Sequence, residues 1–325
     1  MINLSIPKTA GCLLIICLVH INSIVKAQNS VKEPVVQEEK INSLLQKMTL
    51  EEKVGQMNQY NGFWEITGPA PKDGDAKKKY DHLRKGMVGA VLNVKGTENV
   101  RKLQEIAVKE TRLGIPLLFG YDVIHGHKTL FPIPLGEAAS WDLAAIETSA
   151  RTAAIEASAA GINWTFAPMV DITRDARWGR VMEGAGEDTY LGTKIGLARI
   201  KGFQGDDLAA NNTIIACAKH FAGYGFAEAG RDYNTVDVGT STLYNTILPP
   251  FKAAVEAGVQ TVMNSFNTLN GVPATGNKWL QRDILKDAWK FNGFVVSDWG
   301  SGMEMIDHGF AANLKQVAEQ SANAG

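Results

Sequence analysis

Apolar and polar positions along the chain follow two alternating rhythms. Short β-branched or aromatic runs recur at Val88–Val94, Pro116–Phe119, Ile162–Val170, Thr213–Ala218, Gln260–Met263 and Phe294–Val296. Each is bounded by polar residues and reads as a buried strand. Between them lie amphipathic Ala/Leu/Glu/Lys-rich segments of helical length, at Val100–Glu110, Leu143–Ala160, Leu191–Gly202, Leu243–Ala257 and Lys278–Trp289. Strand alternating with helix predicts parallel strands joined by right-handed crossovers. Repetition of this unit without a GxGxxG turn favours an α/β fold of the (β/α)8 TIM-barrel type over a dinucleotide-binding sheet. The strand count falls short of eight, and a helix begun near Ala311 closes the chain. The barrel is therefore expected to be incomplete at its C-terminal end.

The first residues carry a different pattern. Lys8 supplies a positive charge, Ala10–Val19 a mostly apolar run, and Val25-Lys26-Ala27 a small-residue cleavage site. Residues 1–27 therefore read as a secretory signal peptide, with an apolar run too short for a membrane span. Residues 28–40 are polar and read as a loose linker, leaving 41–325 as one barrel domain. Thr49-Leu50-Glu51-Glu52 is a capping box that opens a helix, and Pro69–Lys79 reads as an exposed loop.

Composition narrows the function classes. The chain has 325 residues, 45% of them apolar and 21% charged, with a formal net charge of −1. That is enough for one large globular domain, and its neutrality offers nucleic acid no electrostatic footprint. Cys12 and Cys17 leave with the signal, so Cys217 is the sole cysteine of the expected mature chain, which rules out an internal disulfide. A secreted or periplasmic protein, with no stable membrane association once the signal is cleaved, fits these features.

The candidate chemistry sits where the strands end. Asp298 and Trp299 follow Phe294–Val296 after Ser297, at the position where barrels of this class carry reactive groups. The plain alternative is a carboxylate capping the next helix. Four more polar clusters occupy equivalent places. Tyr121-Asp122-Val123-Ile124-His125-Gly126-His127 follows the second run, and Asp171 to Arg180, continuing to Glu183 and Glu187, follows the third. Lys219-His220 and Asn264-Ser265-Phe266-Asn267 follow the next two. Charged groups grip hydroxyls with strong directional bonds and an indole covers a sugar's apolar face, so these clusters suit a neutral, hydroxyl-rich ligand. Other readings stay open: His125, His127 and His220 as a metal set in a different barrel hydrolase, Arg174 and Asp175 as a structural ion-pair network, or the whole as a non-catalytic sugar-binding module.

Taken together, Lys219-His220-Phe221, the Arg174–Arg180 run with Trp178-Gly179, Tyr121–Gly126 and Ser297-Asp298-Trp299 resemble glycoside hydrolase family 3, of the bacterial periplasmic β-glucosidase type. The likeness runs from about Ile41 to Gly325. It implies a retaining exo-β-glucosidase acting on terminal non-reducing β-D-glucosyl residues of glucosides or oligosaccharides, without metal or organic cofactor. Asp298 matches the family's nucleophile. Asp122, Arg180, Lys219 and His220 match residues that hold the terminal sugar's hydroxyls, Glu183 an acidic residue near that arginine, and Trp299 a wall of the next subsite. Phe266 stands where many relatives carry a tyrosine. The likeness also implies that the acid/base glutamate belongs to a second domain, expected to be absent from this chain. The loop after Lys219-His220 lacks the histidine of the family's N-acetylglucosaminidase branch, which argues against that branch.

Overall fold

The computed structural model describes residues 33–62 and 73–325. The proposed signal peptide and cleavage site lie outside the described residues. The chain divides into two compact units at Gly55/Gln56. Helix α1 spans Glu33–Lys47 in the first, and α2, Leu50–Gln56, runs up to the boundary. The expected linker is thus helical from Glu33 onward. Its Glu, Gln and Lys residues are good helix formers, and a proline in the first turn removes no helical hydrogen bond. The capping box forms as the sequence predicts: the Glu52 amide donates to Thr49 Oγ1 at 3.2 Å, and the Thr49 amide to Glu52 Oε2 at 2.9 Å.

The second unit is an α/β domain of parallel strands. Strands β1 (Gln59–Asn61), β2 (Ala90–Leu92), β3 (Leu118–Tyr121) and β4 (Trp164–Thr165) pair in that order, all parallel. Strands β5 (Cys217–Phe221) and β6 (Thr261–Asn264) pair parallel, and β6 then pairs with β9 (Phe294–Val296). Parallel bridges Trp164–Ile215 and Met169–Lys219 join the two sheets. Among the described residues no pairing links β9 back to β1, so the strands do not close into a barrel. A two-stranded antiparallel hairpin, β7 (Thr268–Leu269) and β8 (Val272–Pro273), projects from the end of β6.

Helices fill the crossovers: α3 (Gly74–Arg84), α4 (Thr97–Glu105), α5 (Pro134–Ala138), α6 (Leu143–Ala159), α7 (Thr189–Gln204), α8 (Pro249–Glu256), α9 (Ser301–Asp307) and α10 (Leu314–Ala324). Wider helical turns occupy Ile106–Glu110, Leu243–Ile247 and Trp279–Ala288. The loop expected up to Lys79 already turns helical at Gly74, because Tyr80 and Leu83 bury one face while Lys77 pairs with Asp81. Helices α6 and α7 approach closely through small residues. A Cβ on Gly202 would lie 2.5 Å from the Glu147 carbonyl oxygen and 2.6 Å from Ala150 Cβ.

Alternation along the strands separates two faces. Val91, Phe119, Ala218 and Val262 are buried on the helix side. Ala90, Trp164, Cys217 and Met263 form a separate cluster with Leu118 and Val296 on the other. Trp164 Nε1 donates to Thr261 Oγ1 at 2.9 Å across that second face. By the two-residue period of a strand, Lys219 shares the face of Cys217 and comes one step nearer the strand's carboxyl end. That step leads into the polar cluster.

Candidate active site

The strand ends of β3, β5, β6 and β9 bring most of the expected residues together. Lys219 is buried with Nζ 4.0 Å from Asp122 Oδ1, which follows β3. His220, fully buried, places Nε2 3.4 Å from Asp298 Oδ2 at the end of β9. Arg180 Nη2 donates to His220 Nε2 at 3.0 Å and to Glu183 Oε2 at 2.6 Å, with Arg180 Nε adding a third bond to the same carboxylate at 3.1 Å. The Lys219–His220 and Phe221–Ala222 peptide bonds are cis, and the β5–β6 register shifts between Lys219 and Phe221.

Asp298 is held by its backbone more than by its side chain. Its amide donates to Asn264 Oδ1 at 3.2 Å, and the same oxygen accepts from Ser301 Oγ at 3.3 Å. Asn264, at the end of β6, thus pins the turn from β9 into α9. Gly300 completes that turn with a φ of 72°, a left-handed conformation that favours glycine. Oδ1 of Asp298 accepts from the Trp299 amide at 2.6 Å, whereas Oδ2 is buried with no hydrogen-bond partner. The indole of Trp299 itself lies largely in solvent, 65% exposed.

Charge in this cluster is set by burial opposed by neighbouring ions. Burial raises the pKa of Asp298, and the Trp299 amide, Lys219 and Arg180 pull it back. Desolvation likewise raises Asp122, with Lys219 opposing. For Arg180 burial acts against the charge, but Glu183 outweighs it and holds the pKa above its ordinary value. His220 is pushed well below the usual histidine range by burial, reinforced by Arg180 and Lys219, and is neutral at physiological pH. Lysine and arginine therefore supply the positive field at Asp298.

Phe266 is buried in an aromatic group, 5.6 Å from the Tyr224 ring and 4.7 Å from Tyr233. Tyr224 stands at its centre: Trp178 lies 5.0 Å away, His220 5.3 Å, and the Arg180 guanidinium 5.5 Å over its face. Trp178 Nε1 donates to Asp232 Oδ1 at 2.8 Å. Tyr224, Trp178 and Asp232 were not among the expected site residues, and contacts across 54 residues leave no local signature in a sequence. Asp171 was also missed as a site residue, although it ends the Ile162–Val170 run as Asp298 ends its own. Its Oδ2 accepts from the His220 amide at 2.8 Å and lies 2.9 Å from His220 Nδ1.

The remaining candidates separate. Asp175 pairs with Arg177 on the surface, and Arg174 stacks 5.1 Å over Phe226, in keeping with the structural reading of that run. His125 Nδ1 lies 2.9 Å from the Phe131 carbonyl oxygen, and His127 packs edge-on to Tyr121 at 5.7 Å. Among the described residues, no group of three or more His, Cys, Asp or Glu side chains is placed to hold a metal ion. Glu187 is exposed. Glu304, on α9, is raised to about 7 by burial and by Asp298, Asp307 and Asp232.

Comparison with known proteins gives a consistent result. The glycosyl hydrolase family 3 N-terminal domain matches residues 49–325. A periplasmic β-glucosidase of Salmonella typhimurium is 43% identical over 285 residues, covering 88% of this chain and 36% of that protein. A protein of Formosa agariphila named as a putative β-xylosidase is 35% identical over 305 residues, 89% of this chain and 40% of the other. Among solved structures, a β-glucosidase from Listeria innocua in complex with isofagomine superposes with a TM-score of 0.80 at 44% identity, covering 88% of this chain and 40% of that one. The same enzyme's mutant was solved with laminaribiose. The chain thus spans well under half the length of these relatives.

Proposed function

The chain belongs to glycosyl hydrolase family 3, and on that premise we propose that it provides the glycone site and nucleophile of a retaining, exo-acting β-glucosidase. The observation that carries this reading is the Asp298 carboxyl. It stands at the carboxyl end of β9 with one oxygen fixed by a backbone amide and the other buried without a partner, beside Lys219, Arg180 and His220. A pure binding site has no need of an uncapped carboxylate oxygen, whereas a nucleophile does.

In the proposed reaction the terminal glucosyl residue lies over this cluster. Asp122, Lys219, Arg180 and His220 grip its hydroxyls, Glu183 orients Arg180, and Trp299 walls the neighbouring subsite. Phe266 backs the site through Tyr224. Asp298 Oδ2 attacks C1, the glycosidic C1–O bond breaks, and the departing oxygen takes a proton from a general acid. Water then attacks C1, gives its proton to the same group as base, and releases Asp298. The acid/base carboxyl is assigned to a domain following this one, and the complete fold to a barrel closed beyond β9. The signal-like pattern of residues 1–27 and the periplasmic relative support export to the periplasm. The xylosidase name among the relatives points to a pentose alternative, but Asp122 favours a sugar carrying a hydroxymethyl group.

The test is intact-mass analysis after incubation with 2-deoxy-2-fluoro-β-D-glucosyl fluoride, whose leaving group needs little acid assistance. We expect one fluoroglucosyl adduct, absent in Asp298→Ala. A folded chain that takes no label, or a labelled Asp298→Ala, would overturn the assignment.

A further inference from the structure

His220 is held from two sides by one oxygen. Its backbone amide and its ring Nδ1 lie 2.8 and 2.9 Å from Asp171 Oδ2. A backbone N–H can only donate, so Oδ2 is an acceptor. A carboxyl oxygen bearing a proton accepts poorly, so any proton Asp171 takes up belongs on Oδ1, which is buried and has no hydrogen-bond partner. In either charge state, therefore, Oδ2 receives the ring as Nδ1–H. A neutral imidazole carries a single N–H, which leaves Nε2 as a bare lone pair. That lone pair accepts from Arg180 Nη2 at 3.0 Å and faces Asp298 Oδ2 at 3.4 Å. Two acceptors face each other there, and Asp298 Oδ2 has no hydrogen-bond partner.

We propose that Asp171 is a positioning residue that locks His220 in the Nδ1–H tautomer, so that the imidazole docks Arg180 and cannot cap the Asp298 oxygen. The proposal rests on the reading of Asp298 as nucleophile. In the opposite tautomer, with the same number of protons, Nε2–H would donate to Asp298 Oδ2 and Arg180 would lose its acceptor. The nucleophile would then be quenched by a hydrogen bond, with no change in the residues around it. The geometry also reverses a familiar expectation. In the serine protease triad, asparagine in place of the aspartate imposes the wrong tautomer. Here the backbone N–H of His220 selects the side-chain amide oxygen of the asparagine in Asp171→Asn for the Oδ2 place, so asparagine preserves the tautomer.

The experiment is long-range proton–nitrogen NMR of the 15N-histidine-labelled chain, with the His220 signals assigned by their loss in His220→Asn. The wild type is expected to show Nδ1–H and a bare Nε2. Asp171→Asn should match it and take the fluoroglucosyl label at a rate within about threefold of wild type. Asp171→Leu, which removes the acceptor, should populate the Nε2–H form and label about tenfold more slowly or worse. An Nε2–H tautomer in the wild type or in Asp171→Asn overturns the proposal, as does an unchanged tautomer in Asp171→Leu. Should Asp171→Leu fail to fold, the wild-type and asparagine spectra still decide. The spectra do not depend on turnover: a wild type with the expected tautomer that takes no label would sink the proposed function and spare the tautomer assignment.

Discussion

Asp171 makes a second, thermodynamic prediction that needs no substrate. It is buried, and burial pushes its pKa up from 3.8 to about 7 against the opposing His220 amide and Arg180. A carboxyl whose pKa rises on folding favours the folded state while protonated. That contribution is complete below about pH 4 and is lost as the pH climbs through 7. At about 1.4 kcal/mol per pH unit the full loss is about 4 kcal/mol, of which roughly 2.5 kcal/mol falls between pH 5 and 8. His220 titrates with the opposite sign, its depressed pKa costing stability as the pH falls below about 6.5. Where folded His220 stays neutral in wild type and variant alike, this term arises from the unfolded chain and drops out of their difference. Asp171→Asn keeps the two accepted bonds and removes the titration. Its stability relative to wild type should therefore rise by roughly 2.5 kcal/mol from pH 5 to pH 8. The assay is urea unfolding followed by tryptophan fluorescence, to which the buried Trp164 and Trp178 of the second unit contribute. A difference that stays flat with pH, or that falls, would show that Asp171 ionises normally in the fold and would refute the reasoning.

Two further outcomes follow from buried contacts away from the proposed sugar site. Arg199 Nη1 meets Glu137 Oε2 at 2.5 Å in a fully buried pair, and Ser149 also donates to that carboxylate. Arg199→Ala leaves Glu137 uncompensated and should cost about 3–5 kcal/mol in chemical denaturation, more than an Arg199→Met/Glu137→Met double variant. Gly202→Ala forces a methyl group into the α6–α7 contact; we expect a net loss of about 1–3 kcal/mol despite alanine's better helix propensity, read as a lower Tm with fluoroglucosyl labelling unchanged at low temperature.

Much of the second unit was legible because burial leaves a local mark. The apolar runs before Lys219, Asn264 and Asp298 announce strands; the structure places Asn264 at the end of β6 and Asp298 just past β9, while Lys219 falls within β5, which runs on to Phe221. The capping box at Thr49 is equally local. Strand β1 was invisible because Gln59-Tyr60-Asn61 has no apolar run; parallel backbone bonds to β2 define it. The β7–β8 hairpin did have a signal, Asn270-Gly271 between apolar residues, and both turn residues take positive φ as a tight hairpin requires. The aromatic group around Tyr224 and the bond from Trp178 to Asp232 depend on the tertiary fold and could not be read along the chain. Asp171 was readable as a strand-end carboxylate, but its pairing with His220, 49 residues away, was not.

Beside β9, the strand that leads to Asp298, the described residues place β6 on one side and no strand on the other. Among the described residues β9 pairs only with β6, and Phe294 at its start is 42% exposed. Edge strands open more readily than enclosed ones, and Asp298 is the second residue beyond this one. The carboxyl at the centre of the proposed chemistry is thus carried by the least enclosed strand of its sheet. Any segment that pairs along the free side of β9 would stiffen the backbone beneath Asp298 and narrow the range of positions its oxygens visit. The strand proposed to close the barrel beyond β9 would act on the chemistry in this way, through order alone, without touching a sugar or moving a single binding residue.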